Sequence, residues 1–127
     1  MACPLFLPRA AVPGSSPASP LGAIFTGSCH SDGSAHASEE LVRDGCNTGY
    51  ARNRCLHAAA LDVDAVRFRI QSHAKGVIQI AWSSERDHHP VAVGTLQLRQ
   101  DVVDGSPLDQ QGRACAAVYL QRTGAAW

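Results

Sequence analysis

Between residues 65 and 98 the chain alternates apolar and polar side chains three times in succession, and no other stretch restricts the fold as strongly. In residues 65–71, AVRFRIQ, Val66, Phe68 and Ile70 alternate with Arg67, Arg69 and Gln71. Successive side chains of a strand point to opposite faces, so this segment has one apolar face and one basic face. Residues 77–83, VIQIAWS, place Ile78, Ile80 and Trp82 on one face. Residues 91–98, VAVGTLQL, make a third strand, with Gly94 as the position for a bulge. Residues 72–76 read as a hairpin connection ending at Gly76, and residues 84–90, SERDHHP, as a polar connection. Three strands joined by short links predict an antiparallel meander.

A sheet this small, with one apolar face, needs a cover. The chain supplies one near its C-terminus. Ser106-Pro107-Leu108-Asp109 is a helix start, with Ser as N-cap, Pro in the first turn and Asp at the third position. Leu108, Cys115, Val118 and Tyr119 then recur at helical spacing down to about Arg122. The fold class that follows is α+β: a small three-stranded antiparallel β-meander with a C-terminal helix packed on one face and an irregular N-terminal segment.

Residues 1–36 are rich in Pro, Gly, Ser and Ala and show no sustained period. Such a composition buries too little apolar surface to offset its ordering entropy. We expect a mostly irregular or disordered tail over 1–36, with Leu21, Ile24 and Phe25 as anchors onto the core, and a single small domain over 37–127. Ser38, Glu39, Glu40, Leu41, Val42 and Arg43 fit one helical turn, capped by Ser38 and stopped by Gly45. The N-terminal apolar run is short, lacks a preceding basic residue and is interrupted by Pro4, Pro8 and Arg9, which is unlike an export signal. No apolar run approaches a membrane span. The expectation is a cytoplasmic protein with no membrane partner.

The cysteines carry the first chemical signal. CNTGYARNRCLH, residues 46–57, follows Cys29 and leads into the first strand. An odd total of five cysteines without an export signal argues against a disulfide framework. If the chain is extended after Cys55, Cys55 and His57 share a face. Cys29, Cys46, Cys55 and His57 then offer three sulfurs and one nitrogen, a zinc-like set, although neither C-x2-C nor C-x4-C spacing is present. The alternative is that these are small, partly buried side chains around a turn. An ordered part of roughly 80–90 residues has little core to spare, which gives a metal staple a purpose.

Two further groups stand out. Glu85, Arg86, Asp87, His88 and His89 hold two carboxylates and two imidazoles, enough for acid–base chemistry or for completing a metal site, and equally ordinary for a solvated turn. Tyr50, Arg52, Arg54, Arg67, Arg69 and Lys75 make a basic set suited to an acidic protein or a nucleic acid. Residues 41–75 carry six cations against three acids, a balance of +3, within a chain of zero net charge. That is too little for a dedicated nucleic-acid-binding domain. Neither G-x-S-x-G nor H-E-x-x-H occurs. The function expected is a small non-enzymatic domain, zinc-stabilised through Cys/His, with a binding role. A metal-free module using the basic strand face, and an enzyme using the 85–89 turn, are the alternatives.

Overall fold

The fold is known from a computed structural model that describes residues 2–12, 21–29, 42–51 and 55–127. In chain order the elements are β1 (Phe6–Ala11), β2 (Phe25–Cys29), a π-helical turn (Val42–Cys46), α1 (Leu56–Ala59), β3 (Ala65–Ala74), β4 (Val77–Arg86), β5 (His89–Arg99) and α2 (Pro107–Thr123). The three alternating stretches form one antiparallel sheet in the order β3-β4-β5. Phe68 lies opposite Trp82, Ile70 opposite Ile80, Ile80 opposite Leu96 and Ile78 opposite Leu98. This register brings the apolar residues of all three strands to one face. Ile78 and Ile80 are fully buried there, with Leu98.

The strands run further than their alternation implied. The β3–β4 turn is only Lys75-Gly76, and the β4–β5 turn only Asp87-His88, with φ of 53°, 75°, 49° and 66° respectively. Positive φ at both central residues gives a two-residue turn whose twist matches that of the strands. The expected polar connection over 84–90 is therefore mostly strand. The register shifts fall between Ile70 and Ser72 and between Ser84 and Glu85, and pairing runs unbroken through Gly94. Gly94 has a different use from the expected bulge. A Cβ there would lie 2.6 Å from the Trp82 ring, so the missing side chain is what admits the indole.

Helix α2 starts as its residues dictate. The Ser106 hydroxyl accepts the Asp109 N–H at 3.1 Å, Pro107 lies in the first turn, and Gly124 closes the helix at φ 71°. Its most buried residues are Asp109, Gln111, Gly112, Ala114 and Ala116, rather than the larger apolar residues of the expected stripe. Small side chains let the helix approach closely, while Val118, Tyr119 and Leu120 pack beside the contact. Buried Asp109 is paired with Arg113 at 2.9 Å, one turn along. The helix contributes a buried residue to each of two apolar clusters. One joins Ile78, Ile80, Leu98 and Ala116. The other joins Ala2, Phe6, Leu21, Phe25 and Ala114, and Phe68 packs against both.

The N-terminal stretch, read as mostly irregular, contributes a second small sheet. β1 pairs antiparallel with β2, with a register shift between Pro8 and Ala10. Ala2 bridges to Val66 through two backbone hydrogen bonds of 2.9 and 2.8 Å, joining this segment to β3. Its order comes from tertiary contacts. The buried Gln111 amide donates to the carbonyls of Cys3 and Phe6, both at 2.8 Å. The buried Asn47 side chain accepts the Phe25 N–H at 2.8 Å and donates to the carbonyls of Phe25 at 2.9 Å and Val42 at 2.8 Å. Leu21 and Phe25 dock as anchors, and burying each large apolar side chain contributes roughly 1.5–3 kcal/mol. Of the expected helical turn, residues 38–41 lie outside the described residues. Among the described residues, no helix is long and apolar enough to cross a membrane.

Candidate functional site

The described residues of the 46–57 motif, 46–51 and 55–57, make two separate sets of contacts. At one end, Cys46 accepts a hydrogen bond on its carbonyl from the Cys3 N–H at 2.9 Å. Cys3 in turn accepts from the Phe6 N–H at 3.0 Å, and Phe6 is the register partner of Cys29. Cys55 caps α1 with an extended backbone, its N–H bound to the Ala51 carbonyl at 2.9 Å. Burial, reinforced by the neighbouring thiols of Cys3, Cys29 and Cys55, pushes the Cys46 thiol up to about 12. Burial also raises Cys3, with Cys29 and Cys55 adding to it against a backbone hydrogen bond from Leu5. Both are neutral thiols near pH 7.

Backbone contacts thus link Cys46 to Cys3, and Cys3 through Phe6 to the strand end at Cys29, while the backbone N–H of Cys55 is bound to Ala51. Cys3 lies in the Pro- and Ala-rich stretch with no local signal of a site. His57 does not sit in the expected extended geometry. It is an exposed residue of α1, because the chain turns helical straight after Cys55. None of the five cysteines is in a disulfide. Among the described residues, no group of three or more His, Cys, Asp or Glu could hold a metal ion.

At the other end, Tyr50 enters the turn between β4 and β5. Its hydroxyl donates to Glu85 Oε1 at 2.5 Å and accepts the His88 N–H at 2.9 Å. The Tyr50 and His88 rings stack with centroids 4.5 Å apart and planes 14° from parallel. Arg67 Nε donates to Glu85 Oε2 at 2.6 Å, so both carboxylate oxygens are occupied. Asp64 completes the frame. Its carbonyl accepts the Tyr50 N–H at 2.9 Å, its N–H donates to the Glu85 carbonyl at 2.8 Å, and its carboxylate accepts the Asp87 N–H at 2.9 Å. Two of the sequence groups therefore meet: Tyr50 and Arg67 from the basic set, Glu85 and His88 from the acid–imidazole set. His89 is separate, an exposed first residue of β5.

Burial alone would push the Glu85 carboxyl up. Hydrogen bonds from Arg67 and Tyr50, with the Arg67 charge, outweigh burial and leave it below the ordinary carboxylate range. The Tyr50 phenol is raised, by burial and then by its bond to Glu85. An ionised acceptor and a neutral donor form a stable pair near neutral pH. Proton transfer is most efficient when a group titrates near the working pH. The arrangement suits charge pairing and positioning.

The outer face of the sheet is the remaining feature. α2 covers the face of Ile78, Ile80 and Leu98. On the other face Arg67 and Arg69 of β3 flank Ser83 and Ala81 of β4, with Val93 and Thr95 of β5 beyond. Small residues in the middle strand leave an open groove of about 720 Å³. Val91 and Val93 are 55% and 74% exposed, and Val93 lines the groove. Arg52 and Arg54 lie outside the described residues. Lys75 sits in the β3–β4 turn, at the opposite end of β3 from Arg67. No protein-family model matches the chain, and neither the curated proteins nor the solved structures include a significant match.

Proposed function

We propose that the chain is a non-enzymatic binding domain whose uncovered sheet face receives an extended, acidic segment of another protein. The observation that supports this is the groove over Ala81 and Ser83, with guanidinium groups on one wall and exposed valine on the other. Two arginines offer carboxylates several donors, and Val93 offers an apolar contact. Zero net charge disfavours nucleic acid, whose affinity depends on neutralising many phosphates. A zinc-stabilised form of this reading rests on the thiols and is independent of the face.

Arg69 is the residue to change, because Arg67 is tied to Glu85. Fluorescence anisotropy with a labelled peptide of alternating Glu and Val is the assay. Arg69→Glu is expected to weaken binding about tenfold or more while leaving the melting temperature nearly unchanged. Equal affinity of wild type and variant, or no binding by wild type, would sink the reading.

A further inference from the structure

We propose that the free edge of β5 pairs antiparallel with β5 of a second copy of the chain, joining two three-stranded sheets into one across a two-fold axis. β5 lies at one side of the sheet, with β4 as its one strand neighbour among the described residues. Which of its backbone groups point outward follows from the register. Ala74 and Val77 flank the Lys75-Gly76 turn and form the hydrogen-bonded pair that closes it, so Val77 faces β3 and Ile78 faces β5. Alternation along β4 then turns the partners of Ile78, Ile80 and Trp82, namely Leu98, Leu96 and Gly94, toward β4. Val93, Thr95, Gln97 and Arg99 present their N–H and C=O groups to the other side. Arg99 bears this out: its carbonyl accepts Arg113 Nη1 at 2.8 Å, and it bridges to Val102. The link after β5 thus fills the lane beside Arg99 and leaves Val93, Thr95 and Gln97 as a template for another strand.

The two edges of the sheet differ. β3 is bridged at Val66 by Ala2 and carries Arg67 and Arg69, and charge on an edge strand discourages pairing. β5 has no charged residue between His89 and Arg99. An acidic or basic segment finds no opposite charge along it, whereas a second β5 brings no like charge to repel. Exposed apolar side chains gather in the same stretch of chain: Val91 and Val93 on β5, then Val102 and Val103, both 61% exposed. A two-fold axis within Val93–Gln97 sets each outward N–H and C=O against its counterpart and lays Val93 against the outer face of the copy's β5. Val93 and Thr95 also line the outer groove, so the pairing sets two grooves side by side.

Edge pairing does not rest on peptide binding, and its test contains no peptide, so the two proposals fail separately. Sedimentation equilibrium of the full chain is run from micromolar to millimolar concentration. The mass is expected to rise from one chain toward two. Over the same range, amide hydrogen exchange of Val93, Thr95 and Gln97 is expected to slow. Val93→Lys sets like charges against each other at an exposed position, and is expected to weaken the dimer about tenfold or more with an unchanged circular dichroism spectrum. Thr95→Pro removes an outward N–H, spares the ladder to β4 and is expected to abolish the dimer. Ser72→Lys, on β3, should leave it intact. A chain that stays monomeric at millimolar concentration overturns the proposal. So does a dimer that survives in folded Val93→Lys, one that Ser72→Lys dissolves, or one in which the three amides exchange as fast as in the monomer.

Discussion

The two hairpin turns of the large sheet share length and backbone hand but are held in different ways. Lys75-Gly76 is exposed, and a Cβ at Gly76 would meet nothing within 4 Å, so that turn rests on local chain chemistry. Asp87-His88 has no glycine. Left-handed backbone costs an ordinary L-residue roughly 1–2 kcal/mol, and Asp and His tolerate it better than most. Here the tertiary structure holds it. Asp64 accepts the Asp87 N–H, Tyr50 accepts the His88 N–H, and the Tyr50 ring stacks on the imidazole. Tyr50 itself has φ 58°. Backbone of this kind persists where surrounding contacts over-determine it. Of the four non-glycine residues at positive φ among the described residues, three meet at this one place.

That contrast is testable by removing its supports. Glu85→Ala is expected to have the largest effect, about 2–3 kcal/mol of stability, since it deletes a buried charged acceptor with two partners. Denaturant midpoints measure it, and the same truncation at Lys75 should shift the midpoint far less. Tyr50→Phe keeps the ring stack and removes one donor and one acceptor function. A loss of about 1–2 kcal/mol is expected. If Tyr50→Phe costs nothing, the Asp87-His88 turn does not depend on its tertiary contacts.

Acid should loosen the same end of the sheet. The folded Glu85 carboxyl binds its proton less readily than the unfolded one, so its contribution is present above the ordinary carboxylate range. The contribution fades as pH falls through that range and is gone below the lowered folded value. The gap in stability between wild type and Glu85→Gln should therefore narrow in acid. A gap constant from neutral pH to below the carboxylate range would show that charge is not what Glu85 contributes. The smallest effect belongs to the other turn. Lys75→Asn should raise stability by about 0.5 kcal/mol, because Asn accepts left-handed backbone more readily than Lys. A comparable gain from His88→Asn would remove the distinction between the turns, since that change also discards the stacked ring.

The groups with a clear period were the legible ones. Val66, Phe68, Ile70, Ile78 and Ile80 announced a sheet and its buried face, and Ser106-Pro107 announced where the helix begins. The second sheet was not legible, because β1 contains Pro8 at an irregular pairing and its order depends on Gln111, far along the chain. In the candidate sites, Tyr50, Arg67, Glu85 and His88 were each visible as residue types. Their union was not, since it needs β3 and β4 in register and the 50s segment folded across them. Asn47 was overlooked for the same reason: it carries no local signal and gains its role from partners elsewhere.

Alternation between residues 65 and 98 by itself determined the meander, the polarity of its two faces and the need for a covering helix, because a strand's period of two acts through nearest neighbours along the chain. Tertiary structure alone decided which polar residues meet. It set Tyr50 and Arg67 on Glu85, and it bound Cys3 to Cys46 through their backbones. The physical reason is that a hydrogen bond depends on distance in space, and loops of any length can close that distance at modest entropic cost.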